Sequence, residues 1–377
     1  VLPHPHDHPV RCPFGLFLSV AQSGYTRLFL QVLDQHHFDF ILGADNYCIG
    51  LTGKSRLRAD ASWNDPAGFG DRLNLSILQA VNPANTTFGS ADYRIPLGPR
   101  GFGFLLAGGY NAFRVNSGVF AALDLQGTIA NYQAGFDWRF YRSRFFNAQS
   151  KLTYTRKKSS LNGASGLQVS DETTDVAAFE LGFDRVDTVY KGLDIGTARL
   201  RQGVSGEFRG VNAGVLSTGF TIVDFTYTRV QPLTETQTLV GRFRFQKTGK
   251  ALSSLEQFSL SGPDAVRAYP VGDVLRDTAR FVSLEYRVQA PGFADEAGPF
   301  GRRWGDLVQF WLFGDYAYGE TEGKPGTPGI ELSGYGGSVQ LSVPGGFQCL
   351  VHGSKAISKK PAADGKKFRR CCELSTK

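Results

Sequence analysis

NYQAGFDWRF, residues 131–140, sets Tyr132, Ala134, Phe136, Trp138 and Phe140 on one side of the chain and Asn131, Gln133, Asp137 and Arg139 on the other. A period of two held over ten residues is the signature of a β-strand with one apolar and one polar face. The pattern recurs along the chain. Leu57, Ala59, Ala61 and Trp63 alternate with Arg56, Arg58, Asp60 and Ser62. Val282, Leu284, Tyr286 and Val288 alternate with Ser283, Glu285 and Arg287, and Leu239, Gly241, Phe243 and Phe245 with Arg242, Arg244 and Gln246.

A length of 377 residues fits two or three soluble domains or one large barrel, and a composition with 46 Gly and 30 Phe favours the barrel. Mean hydropathy is −0.20, and no run approaches the 18 or so consecutive apolar residues of a membrane helix, which excludes helical spans. A transmembrane β-barrel escapes that test, because lipid-facing and lumen-facing residues alternate and average out. Extending the period-two pattern predicts about sixteen strands, starting near residues 38, 54, 71, 86, 101, 129, 146, 176, 191, 219, 237, 278, 306, 333, 346 and 366. Connections at 64–71, 96–100, 142–145 and 344–345 are short. Those at 114–128, 157–175, 201–218, 248–277 and 318–332 are long and rich in Gly, Ser, Thr and charge. Short turns on one rim and long loops on the other describe an outer-membrane barrel, with 290–305 longer than its rim predicts. The competing reading is a soluble all-β sandwich. Trp63, Tyr93, Tyr110, Trp138, Tyr154, Tyr227 and Tyr286 argue against it, because they sit on the apolar faces, several near strand ends, as interface girdles require.

The formal charge of +7 comes from residues scattered over lumen positions, loops and the tail, with no recognition helix or RNA-binding aromatic motif, so no nucleic-acid partner is expected. Arg56, Arg58, Arg139, Arg242, Arg244 and Arg287 would line a wet channel, where hydration explains them better than attraction of an acidic passenger. Cys12, Cys48, Cys349, Cys371 and Cys372 lack paired ligand spacing, so no metal is expected; one disulfide is conceivable, and Cys371 and Cys372 point to opposite faces of a strand. His4, His6 and His8 sit among prolines and read as a tail rather than a metal site. A chain without methionine predicts that the start of the gene product is missing, and apolar 14–20 reads as a strand of a preceding domain. No nucleotide-binding, nucleophile-elbow or zinc signature appears, so neither an enzyme nor a cofactor is expected.

Between two strand-like runs lies LEQFSLSGPDAVRAYPVGD, 255–273. An arginine, Arg267, between Val266 and Ala268-Tyr269, with Gly262, Pro263 and Pro270 as turn residues, indicates a long loop held in one shape, since ordering it is entropically costly. Its partner should be an acid pointing into the same enclosed space. Asp315 shares a face with Gln309, Trp311 and Phe313, opposite Val308, Phe310 and Leu312, and so points inward.

Three segments together resemble the outer-membrane transporters of two-partner secretion, the TpsB type within the BamA-related superfamily. They are 45–76, similar to the opening strand pair of that barrel; FSLSGPDAVRAYPVGD, 258–273, similar to the family's sixth outer loop with its V-R-G-Y core; and FGDYA, 313–317, similar to its F-x-D-x-G element on the thirteenth strand. The likeness covers roughly 38–370. It implies an all-β transmembrane barrel over 37–377 whose 248–277 loop folds inward, with a latch of Arg267, Asp315 and Tyr269. The loop motif would be Gly262, Pro263, Asp264, Val266 and Gly272, and the strand motif Phe313. It further implies an outer-membrane pore of a Gram-negative bacterium, monomeric, in outer-membrane lipid, that translocates one unfolded secreted exoprotein (TpsA type, haemolysin or adhesin). Ala268 and Ala317 replace family glycines. Residues 1–36 would be a tail or the remnant of a POTRA domain, and the end CCELSTK lacks the terminal aromatic of such barrels, so a fragment or a degenerate copy is expected. The alternatives are a general diffusion porin, a BamA-like assembly insertase, and an outer-membrane hydrolase, for which His352 is the only barrel histidine after His37.

Overall fold

The computed structural model describes residues 37–47, 53, 55–115, 123–211, 213–214, 216, 218–323, 326–358, 362 and 364–376, with Ser165 and the antiparallel hairpin of Arg11–Ser19 and Thr26–Asp34 described by backbone alone. His4, His6, His8, Cys48 and the side chain of Cys12 lie outside the described residues.

Sixteen antiparallel strands close into one barrel. They are β1 (Phe38–Asp45), β2 (Ser55–Asn64), β3 (Arg72–Asn82), β4 (Thr86–Pro96), β5 (Phe102–Val115), β6 (Leu125–Arg142), β7 (Phe146–Asn162), β8 (Gln168–Val186), β9 (Leu193–Gly210), β10 (Thr221–Pro232), β11 (Gln237–Thr248), β12 (Thr278–Gln289), β13 (Val308–Glu320), β14 (Ile330–Val343), β15 (Phe347–Ala356) and β16 (Phe368–Thr376). Each pairs with its neighbours in sequence, and β16 returns to β1. Among the described residues that closing seam pairs 42–45 with 373–376, and Asn46 and Cys372 add two further hydrogen bonds at 3.2 and 2.8 Å. By contrast β8 and β9 pair from 170 to 186.

Alternation sorts the two surfaces as the sequence predicts. Leu57, Tyr132, Phe136, Leu284 and Leu312 are exposed on the outside, where lipid would cover them. Trp63 stacks on Phe38 at 5.3 Å, and Trp138 on Phe102 at 5.1 Å, both beside short turns, which gives that rim an aromatic girdle.

Strand starts agree with the alternation except in the tall wall β6–β9. There 157–162 and 168–175, expected as loop, are paired strand, with Lys157 opposite Thr174 and Lys158 opposite Thr173. Likewise β9 continues to Gly210 and β6 begins at Leu125. Outside the apolar layer a ladder still satisfies backbone groups but no longer needs apolar residues on alternate positions, so the loss of pattern looked like a loop. The long connection 290–307 on the short-turn rim carries a 3-10 turn, Pro299–Gly301, and one α-helical turn, α1 (Trp304–Leu307).

The principal hydrophobic core lies inside the barrel. Phe258, Leu260, Ala265, Val266, Ala268, Tyr269 and Val274 of the β11–β12 loop pack against Ala279 and Phe281 of β12, Ala317 of β13 and Leu332 of β14. The loop therefore fills part of the lumen.

Candidate functional site: a buried arginine on the barrel wall

The loop's shape is set locally. A two-residue ribbon, Phe258–Ser259 with Leu275–Arg276, closes its neck. Gly262 has φ of +115°, a conformation L side chains rarely adopt, and a Cβ there would meet Val271 at 3.2 Å. Gly272 also has positive φ. Ala265 N–H donates to the Gly262 carbonyl at 3.1 Å and Tyr269 N–H to the Val266 carbonyl at 3.1 Å, so Pro263 and Asp264 occupy one turn and Arg267 the start of the next. Arg244 of β11 donates to the Asp264 carbonyl at 2.9 Å and stacks over Phe258 at 4.6 Å.

This fold delivers Arg267 to the facing strands β12 and β13. Its Nε and Nη2 donate to the two oxygens of Asp315 at 2.9 and 2.8 Å, and its own backbone N–H adds a third bond at 3.1 Å. Nη1 donates to Glu285 at 2.7 Å and Nη2 to Ser283 at 3.1 Å. The guanidinium carbon lies 3.5 Å from the centroid of the Phe313 ring. A planar fork can make two parallel bonds to a carboxylate and stack on an aromatic face together, which a lysine cannot. Ser283 lies directly opposite Asp315 in the β12–β13 ladder and donates to it at 2.8 Å, so the wall as well as the arginine orients the acid. Arg267, Asp315, Glu285 and Ser283 are all buried.

Tyr269 is buried in the loop core, and its hydroxyl pairs with Ser358 in the β15–β16 connection at 2.6 Å. It braces the loop one strand pair away from the ion cluster. Val266 is buried in the same core, and Ser354 of β15 donates to the Arg267 carbonyl at 3.1 Å. Ala268, where the family motif has glycine, is accommodated by a glycine across the gap: a Cβ on Gly334 of β14 would lie 2.7 Å from the Ala268 methyl. Ala317 is buried in that same core.

Glu285, Ser283 and Ser354 were not picked out by sequence reasoning. Glu285 was visible on the polar face of its strand, but the long connection 290–307 leaves the β12–β13 register undetermined. The lumen arginines prove to be paired rather than simply wet. Arg56 binds Asp45 at 2.7 Å, Arg58 binds Asp60 at 2.6 Å, and Arg287 binds Glu285 at 2.5 Å while stacking over Trp311. A cavity of ≈ 380 Å³ beside the loop tip is lined by Arg56, Arg58, Arg242, Arg267, Trp311 and His352. His352 is buried, stacked on Tyr47 at 5.5 Å and edge-on to Phe313 at 6.5 Å. Cys371 is buried and Cys372 partly exposed, on opposite faces of β16; neither is in a disulfide, nor is Cys349. Among the described residues no cluster of three or more metal-ligating side chains forms.

The family model for haemolysin secretion/activation proteins ShlB/FhaC/HecB matches residues 24–288. Similar curated proteins include the heme/hemopexin transporter protein HuxB of Haemophilus influenzae, 21% identical over 363 residues in strain 86-028NP and 22% over 369 in strain Rd. Each match takes in 91% of this chain and 61% of the relative, so the chain spans about three fifths of the length of these curated relatives. Among solved structures, CdiB from Escherichia coli superposes with a TM-score of 0.81 at 12% identity, covering 98% of this chain and 69% of that one. CdiB from Acinetobacter baumannii gives 0.75 at 14%, covering 97% and 66%. BamA from Haemophilus ducreyi lacking POTRA domains 1–3 gives 0.62 at 13%, covering 98% and 76%. These structural likenesses bear on the fold.

Proposed function

The chain belongs to the haemolysin secretion/activation protein family ShlB/FhaC/HecB, and from that premise we propose that it is the pore of a two-partner secretion system in a Gram-negative outer membrane. It would act as a monomer in outer-membrane lipid and pass one unfolded exoprotein of the haemolysin or adhesin type to the cell surface. Residues 37–377 form the conducting barrel in this reading, and 1–36 are a tail or the remnant of a POTRA domain.

The observation that carries it is the Arg267 cluster. Diffusion through the pore requires an unobstructed lumen, yet here a loop packs a hydrophobic core inside the barrel and is fastened by one arginine to Asp315 and Glu285. A plug with a specific fastening suits a conduit opened by its cargo. When Arg267 withdraws, Glu285 keeps Arg287 at 2.5 Å, with Arg242 at 3.7 Å, while Asp315 keeps only the Ser283 hydroxyl, so release of the latch leaves one buried acid without a cation and favours re-closure. Folding of the exoprotein outside supplies the direction of transport.

The test is Arg267→Ala in cells that also carry the exoprotein. Secretion into the medium falls sharply or stops while the barrel still shows its compact, heat-modifiable form on gels. Secretion at the normal level discards the latch. Steady solute-selective conductance without any exoprotein would mark a porin, and loss of unrelated outer-membrane proteins on depletion would mark an insertase.

A further inference from the structure

The loop is tied down a second time, at its root and on a different wall. Glu256 is fully buried; its carboxylate forms an ion pair with Lys157 of β7 at 2.7 Å and accepts a hydrogen bond from Arg201 of β9 at 2.6 Å. Arg201 is itself held by Asp224 of β10 at 2.6 and 2.9 Å and by Gln246 of β11 at 2.9 Å. Gln246 in turn donates to the carbonyls of Glu256 and Asp277, which flank the neck of the loop, each at 3.0 Å. Asp277 accepts from Leu252 N–H at 3.0 Å and from Gln257 at 2.9 Å. Ser253 donates to Glu172 of β8. Leu252 enters a separate apolar pocket made by Val176, Phe220 and Ile222.

The two attachments respond differently to removal. At the tip all the ionic contacts come from one side chain and fall on one strand pair, β12–β13; when Arg267 leaves, Glu285 keeps Arg287 and Asp315 keeps the Ser283 hydroxyl. At the root, withdrawal of Glu256 would take the carboxylate from Lys157, pull Leu252 out of its pocket, and break the bond from Gln246 to the Glu256 carbonyl. Buried groups without partners are costly, and the root's polar contacts fall on four strands, β7, β8, β9 and β11, that must let go together, whereas the tip's ionic hold falls on one strand pair. Resting on the transport reading above, we infer that Glu256 is the positioning residue of a fixed pivot: the tip swings from the β12–β13 wall when cargo enters, while the root stays on β7–β11.

Distance measurement between paired spin labels tests this in the full chain, on a background with its cysteines replaced. One label goes at Leu167, in the exposed turn after β7. The second goes at Ser254 to report the root or at Val271 to report the tip; all three sites are exposed. Arg267→Ala is expected to abolish the single sharp Leu167 to Val271 distance and leave the Leu167 to Ser254 distance sharp. Glu256→Gln is expected to abolish the sharp root distance, and Glu256→Asp to restore it. If Arg267→Ala disorders both distances alike, or if Glu256→Gln leaves the root sharp, the pivot is wrong. Where Glu256→Gln does not assemble, Lys157→Gln combined with Leu252→Ala replaces it, and a sharp root distance in that variant overturns the inference too. Failure of the transport reading would instead appear as normal secretion by Arg267→Ala, with the distances still behaving as described.

Discussion

Strands β12 and β13 carry two surfaces on one backbone, and the surfaces obey different rules. Outward, Val282, Leu284 and Leu312 are 45%, 55% and 65% exposed, touching what would be lipid. Inward, Ser283, Glu285 and Asp315 are 2%, 1% and 4% exposed, each bonded to a named atom of Arg267 or to one another. Lipid is a solvent without shape, so the outer surface asks only for apolarity. The inner surface must match a planar cation in charge, direction and distance. Adjacent residues of one strand can thus be under loose and tight selection, and averaging over the strand would hide both.

The sharpest way to break this contrast is Asp315→Ala, which leaves Arg267 short of its main partner. It is expected to destabilise the barrel by about 3–5 kcal/mol where water does not enter, measured by urea unfolding from phospholipid vesicles. In an Arg267→Ala background the same change should cost far less, and equal costs in the two backgrounds would show that the pair is not coupled. Leu284→Arg comes next. Placing a cation on the lipid face near the midplane is expected to cost about 2–4 kcal/mol in the same assay, whereas Leu284→Val is expected to be close to neutral. An arginine tolerated at 284 would mean that this face is not in lipid. The smallest effect is steric. Gly334→Ala pushes a methyl into that of Ala268 and is expected to cost about 1–3 kcal/mol, with Ala268→Gly restoring most of it. Absence of rescue would separate the loop core from β14.

The outward surface was the legible one. Alternation at 281–288 placed Val282, Leu284 and Tyr286 apart from Ser283 and Glu285, and strand starts near 237, 278 and 306 lie within two residues of β11, β12 and β13. The inward surface was only half legible. Arg267, Asp315 and Phe313 could be proposed from their faces and a family likeness, but Glu285 needed the ladder register, which no sequence pattern supplies across 290–307. Glu256 was less legible still, because Lys157 and Arg201 reach it from strands far away in sequence and nothing local marks a buried glutamate in a polar loop. The ends of β6–β9 were misread for a related reason: above the lipid, hydrogen bonding continues after the alternation has stopped.

The seam between β1 and β16 carries a mechanical consequence. A ring under outward load fails at its least-stitched joint, and among the described residues that joint is the overlap of 42–46 with 372–376, against the long ladder of β8 and β9. Swelling of the lumen by a bulky occupant would strain every ladder alike but part this one first. The cylinder would then become a curled sheet with two bare margins, and in hydrocarbon, where no water can cap the freed amides, those margins would rejoin as soon as the load was gone.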